Sequence, residues 1–163
     1  MMAILLKIFQ IFNLNMGPRS MKFRVILFWL ISLPGALMAQ QADIEKEYRS
    51  YVDDFIIFDF DGLASHFETP VMFIGASTQV AEDTESLKNY YRNLQSNIQA
   101  GYAYSTIDEL EISQVTEVIY LLTASFTRYN AEDEILFEST SFNFFKKTQE
   151  GWKMFLMQGS GLP

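Results

Sequence analysis

Tyr51-Val-Asp-Asp-Phe-Ile-Ile-Phe-Asp-Phe-Asp-Gly-Leu-Ala-Ser-His-Phe67 is the stretch on which the fold turns, because it fits two incompatible architectures. Read as extended chain, Ile56-Ile57-Phe58 is a buried strand that ends on a pair of carboxylates, Asp59 and Asp61. Read as helix, the same residues complete a period that begins upstream. Ile44, Tyr48, Tyr51, Val52, Phe55 and Phe58 recur at spacings of three and four, which marks one amphipathic helix ending near Asp59. Asp43, Glu45 and Glu47 give its first turns the charge favoured at a helix N-terminus.

The helical reading orders the rest of the chain. Asp61-Gly62 opens a short second helix with Leu63, Ala64 and Phe67 inward, Pro70 stops it, and Val71 to Ile74 reads as a buried strand. Leu87, Tyr90, Tyr91, Leu94 and Ile98 define a third helix, with Asp83 or Thr84 as cap and Gly101 as stop. Four strand-like runs follow, over 102–112, 117–129, 134–147 and 152–158, joined by connections short enough for hairpins. Three N-terminal helices packed on a curved antiparallel sheet make an α+β domain.

Ile56 to Leu63 resembles the first signature of the haloacid dehalogenase-like phosphatases, in which Asp59 would be the nucleophile and Asp61 the acid. Leu63 stands where that signature has threonine, and the downstream half lacks the alternating strands and helices of a doubly wound sheet. The helical alternative, in which Asp59 and Asp61 terminate one helix and cap the next, is preferred. So read, 51–67 resembles the opening of nuclear transport factor 2-like domains, a superfamily that includes SnoaL-like proteins and ketosteroid isomerases. Asp61, Ala64 and Phe67 fit its short helix, Gly151-Trp152-Lys153 its closing hairpin, and Gly101 to Ser105 with Phe126 to Tyr129 are similar to a bacterial branch of it. The resemblance covers about 42–158 and implies a conical pocket between the helices and the concave face of the sheet. Tyr51 falls on the isomerase tyrosine, but the base position falls near Ile74 and Gly75 and the acid position near Thr140, so the isomerase carboxylic groups have no counterpart.

Charge divides the chain. All 20 acidic residues follow residue 42, while the first 39 carry only Lys7, Arg19, Lys22 and Arg24; residues 40–163 therefore hold 8 basic and 20 acidic side chains, a net of −12. That excess argues against nucleic acid as a partner. With no cysteine and one histidine, disulfides, thiolate chemistry and multi-imidazole metal sites are excluded, and no metal or cofactor is expected. From Met21 a basic head, the apolar run Val25 to Ile31, Pro34-Gly35 and a terminal Ala39 form the pattern of a secretory signal peptide cleaved after Ala39. Residues 1–20 read as an upstream extension, and 40–163 as one domain in the periplasm or exterior, with no stable membrane span after cleavage.

Polar side chains expected at a pocket are Tyr51, Tyr90 and Tyr91 from the helices, Thr140 and Asn143 from the sheet, with His66 as a candidate base and Arg128 as a candidate anion ligand. The bland readings are a partly exposed helical histidine and an exposed Arg128 paired with an acid. On the penultimate strand only one of two sets can face inward, Thr140, Phe142 and Phe144 or Ser141, Asn143 and Phe145; the first is preferred because Lys146 then emerges at the strand end. The expected activity is binding of a small apolar or neutral molecule or a protein partner. A pocket-based isomerase, cyclase or dehydratase is the alternative, a dimerisation module the third, and a homodimer the expected assembly.

Overall fold

The computed structural model describes the backbone of residues 21–159 and side chains from Leu37 onward. The chain divides into Met1–Gln40 and Gln41–Pro163, and the site lies wholly within the second unit. The upstream extension at 1–20 falls outside the described residues. Helix α1 spans Met21–Ile57 and runs through Pro34 and Gly35, where the sequence suggests a break; proline removes one hydrogen bond without always ending a helix. Among the described residues no helix is long and apolar enough to cross a membrane.

Helix α1 ends two residues before Asp59 for a backbone reason. Phe58 adopts a left-handed conformation, φ 51°, and its N–H and that of Asp59 donate to Phe55 O and Asp54 O at 3.2 and 3.0 Å. This is a Schellman closure, in which glycine is usual. Here the Phe58 ring is held against Phe55 and Tyr102, at centroid distances of 5.2 and 6.2 Å. Asp59, not Asp61, then caps α2 (Phe60–Ser65), its Oδ1 accepting from the N–H groups of Asp61 and Gly62. Asp61 pairs with Lys88 instead, whose ammonium holds that carboxyl below the usual aspartate range.

Two strands separate the second and third helices, so the helices are not one N-terminal block. Strand β1 (Phe67–Ile74) contains Pro70, which the sequence reading takes as a stop. Pro70 falls where β1 is not registered with either neighbour, so its missing N–H leaves no ladder bond unmade. The short strand β2 (Thr78–Ala81) was not expected from the sequence. Helix α3 (Thr84–Asn97) starts in a reciprocal capping box between Asp83 and Ser86. Strands β3 (Tyr104–Gln114), β4 (Ile119–Tyr129), β5 (Ile135–Thr148) and β6 (Gly151–Gly159) form the expected antiparallel meander.

The six strands make one sheet in the order β2-β1-β6-β5-β4-β3, with β1 parallel to β6. Register shifts interrupt the β1–β6, β3–β4, β4–β5 and β5–β6 pairings, and such bulges bend and twist a sheet. The curved sheet receives the buried stripe Ile44, Tyr48, Tyr51 and Phe55 of α1 and Leu87, Tyr91 and Leu94 of α3.

Strand β5 presents the opposite face to the one preferred from sequence. Ser141, Asn143 and Phe145 are buried, while Phe142 is 38% exposed. The inward polar groups satisfy one another in part: Asn143 Nδ2 donates to Ser141 Oγ at 2.9 Å and to Leu122 O at 3.3 Å, and Tyr48 lies 3.4 Å from Ser141 Oγ, while Asn143 Oδ1 is left without a partner. These hydrogen bonds offset much of the desolvation cost that a sequence reading charges to buried serine and asparagine.

Candidate functional site

A cavity of about 60 Å³ lies between the α1 stripe, α3 and the inner face of β3 to β6. Each wall follows from periodicity. Tyr48, Tyr51 and Phe55 share one face of α1; Phe126 and Arg128 continue the inward parity of Tyr120, Leu122 and Ala124 along β4; Ser139 and Ser141 do so on β5. Ser105, Thr106 and Ile107 form the β3 side, and Met157 closes the wall from β6.

Of the seven residues singled out from sequence, Tyr51, Tyr91 and Arg128 line this cavity. Tyr91 donates to the Tyr51 hydroxyl at 3.3 Å, and Tyr51 donates to Met157 Sδ at 4.0 Å. Burial pushes both phenols well above the ordinary tyrosine range, so both stay neutral donors. Tyr90 stacks on Phe73 at 3.8 Å and does not reach the cavity. Thr140 lies on the other face of β5, beside Ser125 Oγ at 3.1 Å, and Asn143 is consumed in the β5 network.

Arg128 corrects the sequence reading most. It is 5% exposed and, among the described residues, pairs with no carboxylate. Its single hydrogen bond runs from Nη1 to Gln99 Oε1 at 2.9 Å, and its Nε is buried without a partner. The guanidinium carbon lies 5.3 to 5.9 Å from the ring centroids of Phe55, Tyr102, Phe126 and Phe137. Burial lowers its pKa, yet guanidinium remains charged. The cage went unseen in the sequence because its rings come from four separate segments. Its one readable signal is that Arg128 shares the parity of Ala124 and Phe126.

His66 lies outside the cavity. It is 4% exposed at the end of α2, with Nδ1 3.0 Å from Glu47 Oε1 and Nε2 2.8 Å from Asp54 Oδ2. Partner acids are absent near it in sequence because they come from α1, 19 and 12 residues earlier. Lys153 sits 3.7 Å from Glu47 and donates to Ser65 O at 2.6 Å. Gly62 makes room for the arrangement, since a Cβ there would stand 2.5 Å from Asp54 Oδ2. Burial opposes the imidazolium, but the hydrogen bonds and charges of Glu47 and Asp54 outweigh it and raise the His66 pKa. The His66 hydrogen bond in turn lowers that of Glu47. No group of three or more histidine or carboxylate side chains placed to hold a metal ion occurs among the described residues.

The model of a family described as NTF2-like protein (DUF6841) matches residues 41–161. Among solved structures, a protein of unknown function with a cystatin-like fold from Nostoc punctiforme aligns with a TM-score of 0.64 at 16% identity, over 76% of this chain and 93% of that one. An NTF-2 like protein of unknown function from Shewanella oneidensis aligns at 0.59 and 14% identity, over 74% and 98%. A ketosteroid isomerase-like protein from Erwinia carotovora atroseptica aligns at 0.55 and 16% identity, over 73% and 93%. At such identities the likeness speaks for the fold alone. No curated protein matches the chain.

Proposed function

The chain belongs to the NTF2-like family DUF6841, and we propose that it is a binding domain whose cavity holds a small, mainly apolar molecule. The lining carries this reading. Aromatic and aliphatic side chains dominate it, with a few hydroxyls and one charged group, Arg128; no carboxylate or imidazole is among the described lining residues. A preformed apolar cavity with few, placed polar groups is the usual form of a small-molecule site. An isomerase of the related type moves its proton with a carboxylate base. Tyr51 can donate a hydrogen bond, but a phenol kept neutral by burial does not supply that base, so the isomerase, cyclase or dehydratase reading ranks second.

Residues 21–39 are read as an export segment. Native mass spectrometry of the protein from its own exported fraction tests both points at once. The expected result is a chain beginning at Gln40 that carries a small molecule, lost on denaturation. A chain retaining residues 22–39 would end the export reading, and an empty cavity that no member of an apolar panel stabilises would end the binding one.

The homodimer is a separate proposal, supported by the outward face of the sheet. Met72 pairs with Val80 and Leu156, and Leu156 with Phe144, so these side chains and Phe142 share one face. Met72, Val80 and Phe142 are its exposed members. Light scattering is expected to give twice the chain mass, reduced to one by Phe142→Glu. A monomer at all concentrations would remove the proposal.

A further inference from the structure

We infer that the cavity selects a molecule bearing a single carboxylate, and that Arg128 is the residue that reads it. This inference deepens the binding proposal and rests on it.

A buried guanidinium is costly unless charge and hydrogen bonds compensate it. Around Arg128 the compensation is partial. Aromatic rings stand around the cation, and the amide oxygen of Gln99 takes one Nη1 hydrogen, but among the described residues no anion meets the charge. Nε is buried and unpaired. Arginine pairs with a planar carboxylate through two parallel N–H groups, and Gln99 on Nη1 leaves the Nε and Nη2 edge for that use. Arg128 lines the cavity, so an acid entering there comes against the side chain that carries the uncompensated charge.

Charge and size narrow the class. One cation in an apolar enclosure balances one negative charge, which favours a monoanion over a phosphate dianion. The hydroxyls of Ser105, Thr106, Ser139 and Ser141, with those of the three lining tyrosines, are the neutral polar company, and a cavity of about 60 Å³ admits only a short aliphatic body. The ligand class is therefore a small apolar monocarboxylic acid.

The test compares acids with isosteric neutral amides, acetate with acetamide and isobutyrate with isobutyramide, by calorimetry on the full chain. The acid is expected to bind at least tenfold tighter than its amide. Arg128→Gln should erase that preference, bringing acid and amide to equal affinity, and Arg128→Lys, which keeps charge without the fork, should recover only part of it. Circular dichroism and thermal melts establish that each variant is folded. Equal affinity for acid and amide, unchanged in Arg128→Gln, would overturn the carboxylate inference and leave the binding proposal standing. Failure of all four probes to bind the unaltered protein would overturn the inference too. Xenon binding, read by its NMR shift, would then show whether the apolar cavity is still a site, and its absence would take the binding proposal down as well.

Discussion

Tyr91→Ala is expected to destabilise the domain by about 3–5 kcal/mol, the range for deleting a buried large aromatic side chain. Tyr91 is 1% exposed on α3 and touches rings from α1 and β1: Tyr51, Phe55, Phe67 and Phe73 lie 5.9 to 6.4 Å from its centroid, and Tyr90 at 5.4 Å. Those neighbours belong to separate elements and cannot all relax into the void. Since small domains are stable by only about 5–15 kcal/mol, the variant loses a large share of its margin. Tyr91→Phe keeps the ring and removes only the donor to Tyr51, so a loss nearer 1 kcal/mol is expected. Urea unfolding checks both through the midpoint. If the alanine variant loses no more than the phenylalanine one, the ring is not the keystone claimed. The alanine variant also enlarges the binding cavity, and the void is expected to take up benzene, as apolar engineered cavities do.

The second large effect is expected at His66. Both ring nitrogens face carboxylates, so the geometry requires an imidazolium donating in two directions. Asp54→Ala removes one acceptor from a buried cation and is expected to cost about 1–3 kcal/mol near pH 6. Gly62→Ala should cost less by the same route, because its new methyl group meets Asp54 Oδ2.

The pH dependence has a definite sign. His66 has a folded pKa raised above 6.5, so its stabilisation is complete below 6.5 and is lost as pH rises through the raised value. Glu47 has a folded pKa lowered below 4.5, so its share is complete above 4.5 and is lost as pH falls through the lowered value. Stability is expected to be flat between about 4.5 and 6.5 and to fall on both sides. His66 is the chain's single histidine, so no other imidazole contributes to the alkaline limb. His66→Gln should flatten that limb. Persistence of the decline in that variant would show that His66 is not its source. Glu47 keeps Lys153 when the imidazole loses a proton, whereas the described contacts give Asp54 no second cation. The proton is therefore expected to leave Nδ1 first, which nitrogen NMR resolves.

The stripe on α1, helix α3 and the closing meander are legible because each rests on a long, strongly periodic segment, whereas α2 has only six residues. Strand β2 was not: it is four residues at a sheet edge, with Thr78, Gln79 and Val80 exposed, and lacks the alternation that marks a half-buried strand. Pro70 misled because its effect depends on which N–H groups a distant strand uses, and β6 is about 80 residues away. The face of β5 was misjudged because side-chain polarity was counted singly, while Ser141, Asn143 and Tyr48 are buried as a set. At the site, Tyr51 and Tyr91 follow from helical phase, and Arg128 is a pocket candidate whose bland reading is an exposed ion pair. His66 was weighed without its acids, since proximity in sequence is a poor guide to what a helix–turn–helix corner brings together. The Asp59-Phe60-Asp61-Gly62 run that imitates a phosphatase signature is accounted for by a helix cap, a surface ion pair and the space Asp54 needs.

Strand β6 occupies an inner place in the sheet although it comes last of the six strands in chain order. The β1–β2 pair joins the meander only through β6, which also receives the His66 carbonyl at Met154 N and the Ser65 carbonyl at Lys153. The first-made strands must therefore wait, unpaired on one edge, for the final hairpin. Closing that long loop is entropically slow and makes the search non-local. A nascent chain cannot complete its sheet while residues 151–159 remain in the ribosomal tunnel, so the fold carries its own delay.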